Sequence, residues 1–119
     1  MDVLLVESRD ELGLLWHRHL ERAGITVHRA RTQFAATDLI SKRPFDVIVL
    51  DLVLEEGSAL AVADFASYRQ TDCRVIFVTN TSFFSDGSIF NLCANACAFL
   101  PAATKPEDLA AMVEHYGSR

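Results

Sequence analysis

The stretch that most constrains the fold is Phe45-Asp46-Val47-Ile48-Val49-Leu50-Asp51, which follows Pro44. Residues 47–50 are all apolar, and three of these four side chains are β-branched. A short unbroken apolar run after a proline is typical of a strand that is buried on both faces in a parallel sheet. Asp51 then stands at the carboxyl end of that strand, the edge at which open α/β sheets bind ligands. The sequence therefore predicts a functional carboxylate at position 51.

Four further strand-like segments and a set of amphipathic segments alternate with this central strand. The predicted strands are residues 2–6, 25–30, 45–51, 74–79 and 97–100. The predicted helices lie between them and after the last one, and Gly24, Pro44 and Asn95 are among the residues expected to end them. Because crossovers between parallel strands are right-handed, five such units predict an α/β, (βα)5 fold with a doubly wound parallel sheet. The whole chain, residues 1–119, is expected to form one domain.

Apolar spacing and capping residues also predict which side chains face the core and where the helices begin. The predicted inward set comprises Leu12, Leu15, Trp16, His19, Leu20 and Ala23 of the first helix, Phe65 and Tyr68 of the third, and Leu109, Met112, Val113 and Tyr116 of the last. Thr32 is expected to cap the second helix, and Asn95 to take a left-handed conformation after the fourth. Thr104 and Glu107 form a capping-box pattern before the last helix.

Composition narrows the classes of function. The net charge of −5 and the pI near 5.2 argue against direct binding to nucleic acid. No apolar run approaches the roughly 20 residues of a membrane span, and Met1-Asp2-Val3 enters a strand at once, so neither a membrane segment nor a signal peptide is expected. Cys73, Cys93 and Cys97 contain no C-x-x-C pair. They are interpreted as buried free thiols in a reducing cytoplasm, with a metal pair of Cys93 and Cys97 as the alternative.

Polar side chains stand at the carboxyl ends of three predicted strands. Glu7 and Ser8 follow the first strand, Asp51 ends the third, and Thr79 ends the fourth. Because the carboxyl ends of parallel strands meet at one edge of a sheet, these side chains are expected to share one crevice. The sequence therefore predicts a polar site that contains two carboxylates and two hydroxyls.

These strand ends, together with their flanking residues, resemble the receiver domain of two-component response regulators over essentially the whole chain. The matching segments are Val3-Leu4-Leu5-Val6-Glu7-Ser8, Asp46-Val47-Ile48-Val49-Leu50-Asp51-Leu52-Val53-Leu54, Gly57-Ser58-Ala59-Leu60, Val75-Ile76-Phe77-Val78-Thr79, Ala94-Asn95-Ala96, Phe99-Leu100 and Pro106-Glu107-Asp108-Leu109. The resemblance implies a CheY-like, flavodoxin-like fold with the strand order 2-1-3-4-5.

The resemblance also implies a role for each matching residue. Asp51 would be the phosphoacceptor, Thr79 the switch hydroxyl and Phe99 the switch aromatic. A weakly held Mg²⁺ would be bound by Glu7, Ser8, Asp51 and the carbonyl of Val53. The chemistry agrees, because a carboxylate that attacks a phosphoryl group brings two anions together, and a hard cation bridging their oxygens reduces that repulsion.

Two departures from the family pattern fall on the chemistry itself. The family usually has a second aspartate at the position of Ser8, so the site loses one formal charge. The family also has a lysine followed by a proline after the fifth strand, and here Ala102 takes the lysine position. Lys105-Pro106 could replace it only through a three-residue slip. The loop after Thr79 is about one residue longer than usual and carries Phe83-Phe84, at the entry to the face where a partner protein is expected.

Three functions are compatible with these features. The first is a receiver domain that accepts a phosphoryl group at Asp51 in two-component phosphorelay signalling. The second is a degenerate receiver that binds a protein partner without phosphoryl transfer. The third, a flavodoxin-type ligand site or an aspartate-nucleophile phosphatase, is disfavoured because Asp51-Leu52-Val53 lacks a second aspartate and no glycine-rich loop follows the first strand.

The family resemblance carries further expectations about the setting. The chain is expected to be a signalling domain and not an enzyme, and to lie in the cytoplasm as a monomer or a weak homodimer. Its partner would be a protein such as a histidine kinase or a phosphotransfer protein. Neither nucleic acid nor a membrane is expected to bind directly.

Overall fold

The computed structural model describes residues 1–79 and 95–118. In these residues the elements are β1 (Asp2–Val6), α1 (Asp10–Arg22), β2 (Thr26–Ala30), α2 (Gln33–Lys42), β3 (Val47–Asp51), α3 (Ala59–Arg69), β4 (Arg74–Thr79), β5 (Ala96–Pro101) and α4 (Pro106–Gly117). The five strands are parallel and lie in the order β2-β1-β3-β4-β5. The predicted fold and strand order are therefore confirmed. Three predicted features lie outside the described residues: the helix expected to end near Ala94, the Phe83-Phe84 pair, and Cys93.

Strand β3 occupies the middle of the sheet, as its apolar sequence predicts. All five of its residues are buried, and it pairs with β1 on one side and with β4 on the other. Ile48 and Leu50 point to one face, whereas Val47 and Val49 point to the other. Burial on both faces explains why the strand contains no alternating polar residue before Asp51.

Two apolar layers cover the sheet. Helices α2 and α3 pack on the face that contains Leu50 and Phe77, through small or branched side chains such as Ile40 and Val62. Helices α1 and α4 pack on the opposite face, chiefly through Trp16, Leu20, Leu109 and Val113. These layers hold the sheet rigid, so that its carboxyl edge can present polar groups at fixed positions.

Three of the predicted inward side chains, those of Leu15, Ala23 and Tyr68, are instead exposed. Ala23 lies beyond the last residue of α1. Leu15 is 42% exposed and Tyr68 is 82% exposed. The buried stripe of α1 runs through Gly13, Trp16 and Leu20, and Leu15 lies beside it. In α3 the buried stripe ends at Ala66, and two residues turn the helix by about 200°, which places Tyr68 on the far side. Phe65 is half-buried and does pack against the core.

The helix ends follow the predicted chemistry in part. The Thr32 hydroxyl accepts a hydrogen bond from the Ala35 N–H at 3.1 Å, which confirms the cap of α2. Gly24 adopts a φ of 83° after α1, the left-handed conformation for which glycine is suited.

One of the predicted caps is wrong, and another stays a prediction. The helix that Asn95 was expected to cap lies outside the described residues, and the Asn95 side-chain amide donates to the Ala63 carbonyl at 3.2 Å. Helix α4 begins at Pro106 after Lys105, so Thr104 does not form the capping box. Proline is favoured at the first position of a helix because its missing N–H has no partner to lose there, and this preference sets the boundary.

Candidate functional site

The carboxyl edge of the sheet collects the buried polar side chains of the part of the chain that the structure describes. Four polar or charged residues there are buried, namely Glu7, Ser8, Asp51 and Thr79. Each follows or ends β1, β3 or β4, and each was predicted from its place at a strand end. Burying a polar group costs free energy unless the group is hydrogen-bonded or paired. Four such groups together at one edge of the sheet therefore mark the candidate site.

Asp51 is held in place by the chain on both sides of it. It pairs with Val78 of β4, and the next residue, Leu52, donates its N–H to the Val78 carbonyl at 2.9 Å. One carboxylate oxygen, Oδ1, accepts the Val53 N–H at 2.9 Å. The carboxylate is therefore fixed at the strand end, with its second oxygen, Oδ2, available to another partner.

That partner is Arg9, a residue that sequence reasoning did not single out. Its Nη2 lies 3.2 Å from Asp51 Oδ2, and its Nε lies 3.2 Å from Glu7 Oε1. The Arg9 backbone N–H also donates to Glu7 Oε1 at 3.0 Å. One guanidinium thus joins the two buried carboxylates. The sequence did carry one signal for Arg9: it is an arginine two residues after Glu7, in the loop that follows β1 at the carboxyl edge of the sheet.

The two carboxylates, which we call the carboxylate pair, are electrostatically strained. Burial raises the pKa of Glu7 to about 7, and the neighbouring Asp51 adds to the increase, while hydrogen bonds from Arg9 oppose it. Glu7 Oε2 is buried and accepts no hydrogen bond within the described part of the chain. The hydrogen bond to Glu7 in turn raises the pKa of Arg9. The pair therefore attracts positive charge, and Arg9 supplies some of it.

Ser8 connects three loops around the pair. Its hydroxyl donates to the Arg31 carbonyl at 2.8 Å and accepts the Glu55 N–H at 3.0 Å. Arg31 follows β2, and Glu55 follows β3. The side chain at the position where the family usually has a second acid thus links the loops after β1, β2 and β3.

The predicted switch residues lie on β4 and β5. Thr79 is buried at the end of β4, and Phe99 of β5 is half-buried opposite Phe77. Ala102 directly follows β5, and its N–H donates to the Thr79 carbonyl at 2.8 Å. Lys105 is exposed just before α4, and within residues 1–79 and 95–118 it forms no ion pair.

A groove of about 760 Å³ opens beside the site. It runs between the start of α1 and the loop after β5, and is lined by Arg9, Asp10, Glu11, Leu12, Leu15, Ala102 and Ala103. The exposed Leu15 and the small Ala102 both belong to it. Solvent and small molecules can therefore approach the Arg9 side of the carboxylate pair.

The donor set fits a divalent cation only in part. Glu7 Oε2 is the kind of buried, unpartnered oxygen that a cation would satisfy. However, no group of three His, Cys, Asp or Glu side chains in the described ranges could hold a metal ion. Cys73 is buried, and Cys97 is a half-buried free thiol. Across the same ranges, no helix is both long and apolar enough to cross a membrane.

Comparison with known proteins shows what the chain is similar to. No family model matches it. Its sequence is 30% identical over 111 residues to the response regulator protein PilR of Pseudomonas aeruginosa, a match that covers 93% of this chain and 24% of PilR. The chain therefore spans about a quarter of the length of that relative.

Solved structures agree with the sequence match. The non-phosphorylated HemR receiver domain from Leptospira biflexa superposes with a TM-score of 0.86 and 27% identity, over 99% of this chain and 94% of that one. A CheY-like response regulator receiver domain protein from Methanospirillum hungatei has the same fold, with a TM-score of 0.88 and 22% identity, over 98% of this chain and 92% of that one. The chain therefore has the CheY-like receiver fold, and its sequence and structure are similar to those of response-regulator receiver domains.

Proposed function

We propose that the chain is a phosphoacceptor domain of two-component signalling, with Asp51 as the acceptor. One observation carries the proposal: Asp51 is buried at the carboxyl end of the central strand, beside Glu7 and the strand end that carries Thr79. A histidine kinase or a phosphotransfer protein in the cytoplasm is the proposed donor. The chain would then act as a signalling domain and not as an enzyme.

The proposed reaction transfers one phosphoryl group to Asp51. A carboxylate oxygen of Asp51 attacks the phosphorus, a new P–O bond forms, and the bond from phosphorus to the leaving nitrogen or oxygen of the donor breaks. The leaving group departs with the electron pair of that bond. Arg9 is placed to neutralise the charge at Asp51 Oδ2, and its guanidinium can donate to phosphoryl oxygens.

Weak binding of Mg²⁺ at the carboxylate pair is part of the proposal. Glu7, Asp51 and the Val53 carbonyl would hold the ion, with Ser8 at the position of the absent acid. When bound, a divalent cation supplies charge that reduces the repulsion between carboxylate and phosphoryl oxygens. Binding would be weak because only two carboxylates contribute charge and Arg9 already occupies one oxygen of each.

Treatment with acetyl phosphate tests the assignment of Asp51. The expected result is a gain of one phosphoryl group by intact mass, located at Asp51 and absent from Asp51→Asn. Asp46→Asn is the matched control, because Asp46 precedes the same strand but lies at its opposite end. Modification of both variants, or of neither the parent nor the control, contradicts the proposal.

A second candidate function is a pseudo-receiver, a protein-binding module that works without phosphoryl transfer. Two observations favour it: Arg9 neutralises the carboxylate pair within the chain itself, and Ala102 replaces the usual lysine. The acetyl phosphate experiment separates the two functions, since a pseudo-receiver would remain unmodified while folding normally. If Asp51 is modified, Thr79 and Phe99 are the proposed switch residues.

A further inference from the structure

Arg9 has a geometry that suits a resident counterion. Its guanidinium spans Glu7 and Asp51 at 3.2 Å each, and its own backbone N–H fixes the shared Glu7 oxygen at 3.0 Å. Both carboxylates are almost fully buried, at 2% and 3% exposure, whereas the Arg9 side chain is 48% exposed, so water screens this contact from the Arg9 side only. The arrangement therefore differs from an exposed ion pair of small energetic consequence.

The charges explain why the position of Arg9 matters. Two buried carboxylates repel each other unless a cation or a proton lies between them. Ser8 contributes no charge, and its hydroxyl is engaged with two backbone groups. Mg²⁺ needs several oxygen ligands in near-octahedral geometry, whereas Arg9 holds one oxygen of each carboxylate. Glu7 Oε2 has no partner among the described residues, but both Asp51 oxygens are engaged, Oδ1 by the Val53 N–H and Oδ2 by Arg9. A metal ion that binds both carboxylates therefore competes with the guanidinium at Asp51.

We propose that the Arg9 guanidinium is the built-in cation of the carboxylate pair, and that Mg²⁺ binds only by displacing it. The metal-free protein then has an ordered site whose negative charge is partly offset, and Arg9 sets how much Mg²⁺ the site needs. This inference concerns the site of the proposed function, but it is tested by metal binding and does not require that Asp51 be phosphorylated.

The test compares Mg²⁺ binding to the parent, Arg9→Met and Arg9→Lys, by amide chemical shifts and thermal unfolding in metal-free buffer. Arg9→Met keeps an unbranched apolar stem and removes the guanidinium and its charge, so its affinity for Mg²⁺ should rise about ten- to a hundredfold, the factor that one charge-assisted hydrogen bond contributes. Arg9→Lys should fall between the two, because it keeps the charge without the two-armed geometry. Arg18→Met, an exposed change on α1, should bind as the parent does.

Equal Mg²⁺ affinity in the parent and Arg9→Met would overturn the inference. If Arg9→Met does not fold, titration of the parent with Mg²⁺ still tests the inference. The Arg9 Nε–H signal should shift as Mg²⁺ is added, in step with the amide of Val53, because the first reports on Glu7 Oε1 and the second on Asp51 Oδ1, one oxygen of each carboxylate. A parent saturated with Mg²⁺ that keeps the metal-free Arg9 signal contradicts displacement. Absence of phosphorylation, by contrast, would reject only the proposed function.

Discussion

The Ala102 N–H donates to the Thr79 carbonyl at 2.8 Å, directly beyond the paired ends of β4 and β5. This bond fixes the place of Ala102 relative to the proposed switch hydroxyl. It also supports the alignment in which Ala102, and not Lys105, stands where the family has lysine.

The first prediction is that Ala102→Lys strengthens the response to a phosphoryl mimic. An ammonium at this position can pair with phosphoryl oxygens, whereas a methyl group cannot, and such a hydrogen bond is worth roughly 1.5–3 kcal/mol. Binding of beryllofluoride, followed by amide shifts at Thr79 and Phe99, measures the gain. Ala103→Lys, one residue further into the same groove, is the control. An equal response in both variants would mean that added charge alone is sufficient, against the prediction.

The second prediction concerns the pH dependence of stability in metal-free buffer. Burial and Asp51 raise the pKa of Glu7 from 4.5 to about 7. Between these two pH values the folded chain keeps a proton on Glu7 that the unfolded chain has released. The free energy of unfolding should therefore fall as the pH rises from 4.5 to about 7, by an amount on the order of 2 kcal/mol from this group. Glu7→Gln, which is neutral at every pH, should lack this decrease.

Denaturant unfolding at a series of pH values measures the difference between the two proteins. Glu114→Gln, on the exposed side of α4, controls for the loss of one carboxylate. If the parent and Glu7→Gln show parallel pH profiles, Glu7 is ionised in the fold as readily as in the unfolded chain, and the prediction fails.

The third prediction concerns Gly57, which has a φ of 89° in the loop after Asp51. A Cβ at this position would collide with the Gln33 side chain, whose Oε1 accepts the Ser58 N–H at 2.8 Å. Gly57→Ala should therefore lower the free energy of unfolding by roughly 1 kcal/mol, because alanine disfavours the left-handed conformation. The disturbed hydrogen bond should lower it by about another 1 kcal/mol. Gly24→Ala has a similar φ of 83° with open space around it, so it should show only the first loss. Equal losses by denaturant unfolding would rule out the contribution of Gln33.

The fourth prediction is slow alkylation of Cys97. Burial raises the pKa of its thiol from 9.0 to about 11, and the thiolate is the reactive form. Near neutral pH the thiolate fraction should be about a hundredfold lower than in an unshifted cysteine. Iodoacetamide labelling, with residue-specific mass spectrometry and the urea-unfolded chain as reference, measures this. Labelling of Cys97 at the same rate in folded and unfolded protein would contradict it.

The sequence allowed prediction of the parallel sheet and of the polar strand ends at Glu7, Ser8, Asp51 and Thr79, because each depends on a short local pattern, whereas the strand order followed from the family resemblance. The apolar run before Asp51 is an example, since burial on both faces admits few alternatives. Tyr68 was misassigned because an aromatic residue near a helical stripe does not reveal which small residues, here Ala63 and Ala66, let the helix approach the sheet.

Arg9 escaped sequence reasoning for a different reason. Its role depends on the direction in which its long side chain extends from the loop after β1. That direction, toward Asp51 across the sheet edge, is visible only in the folded structure. The family pattern also directs attention to missing charges, such as those at Ser8 and Ala102, and away from an added one. Spacing along the chain gives no information about a contact between residues 42 positions apart.

The hydroxyl of Ser8 makes the loss of the second acid difficult to reverse by one substitution. An ionised aspartate at this position could accept the Glu55 N–H, but it could not donate to the Arg31 carbonyl as the hydroxyl does. It would also place a third carboxylate beside a pair that already shares a single guanidinium. Ser8→Asp alone would thus release the loop after β2 and overload the site with charge. Three loops and one arginine are adapted to serine here, so a metal site can be restored only by changing them together.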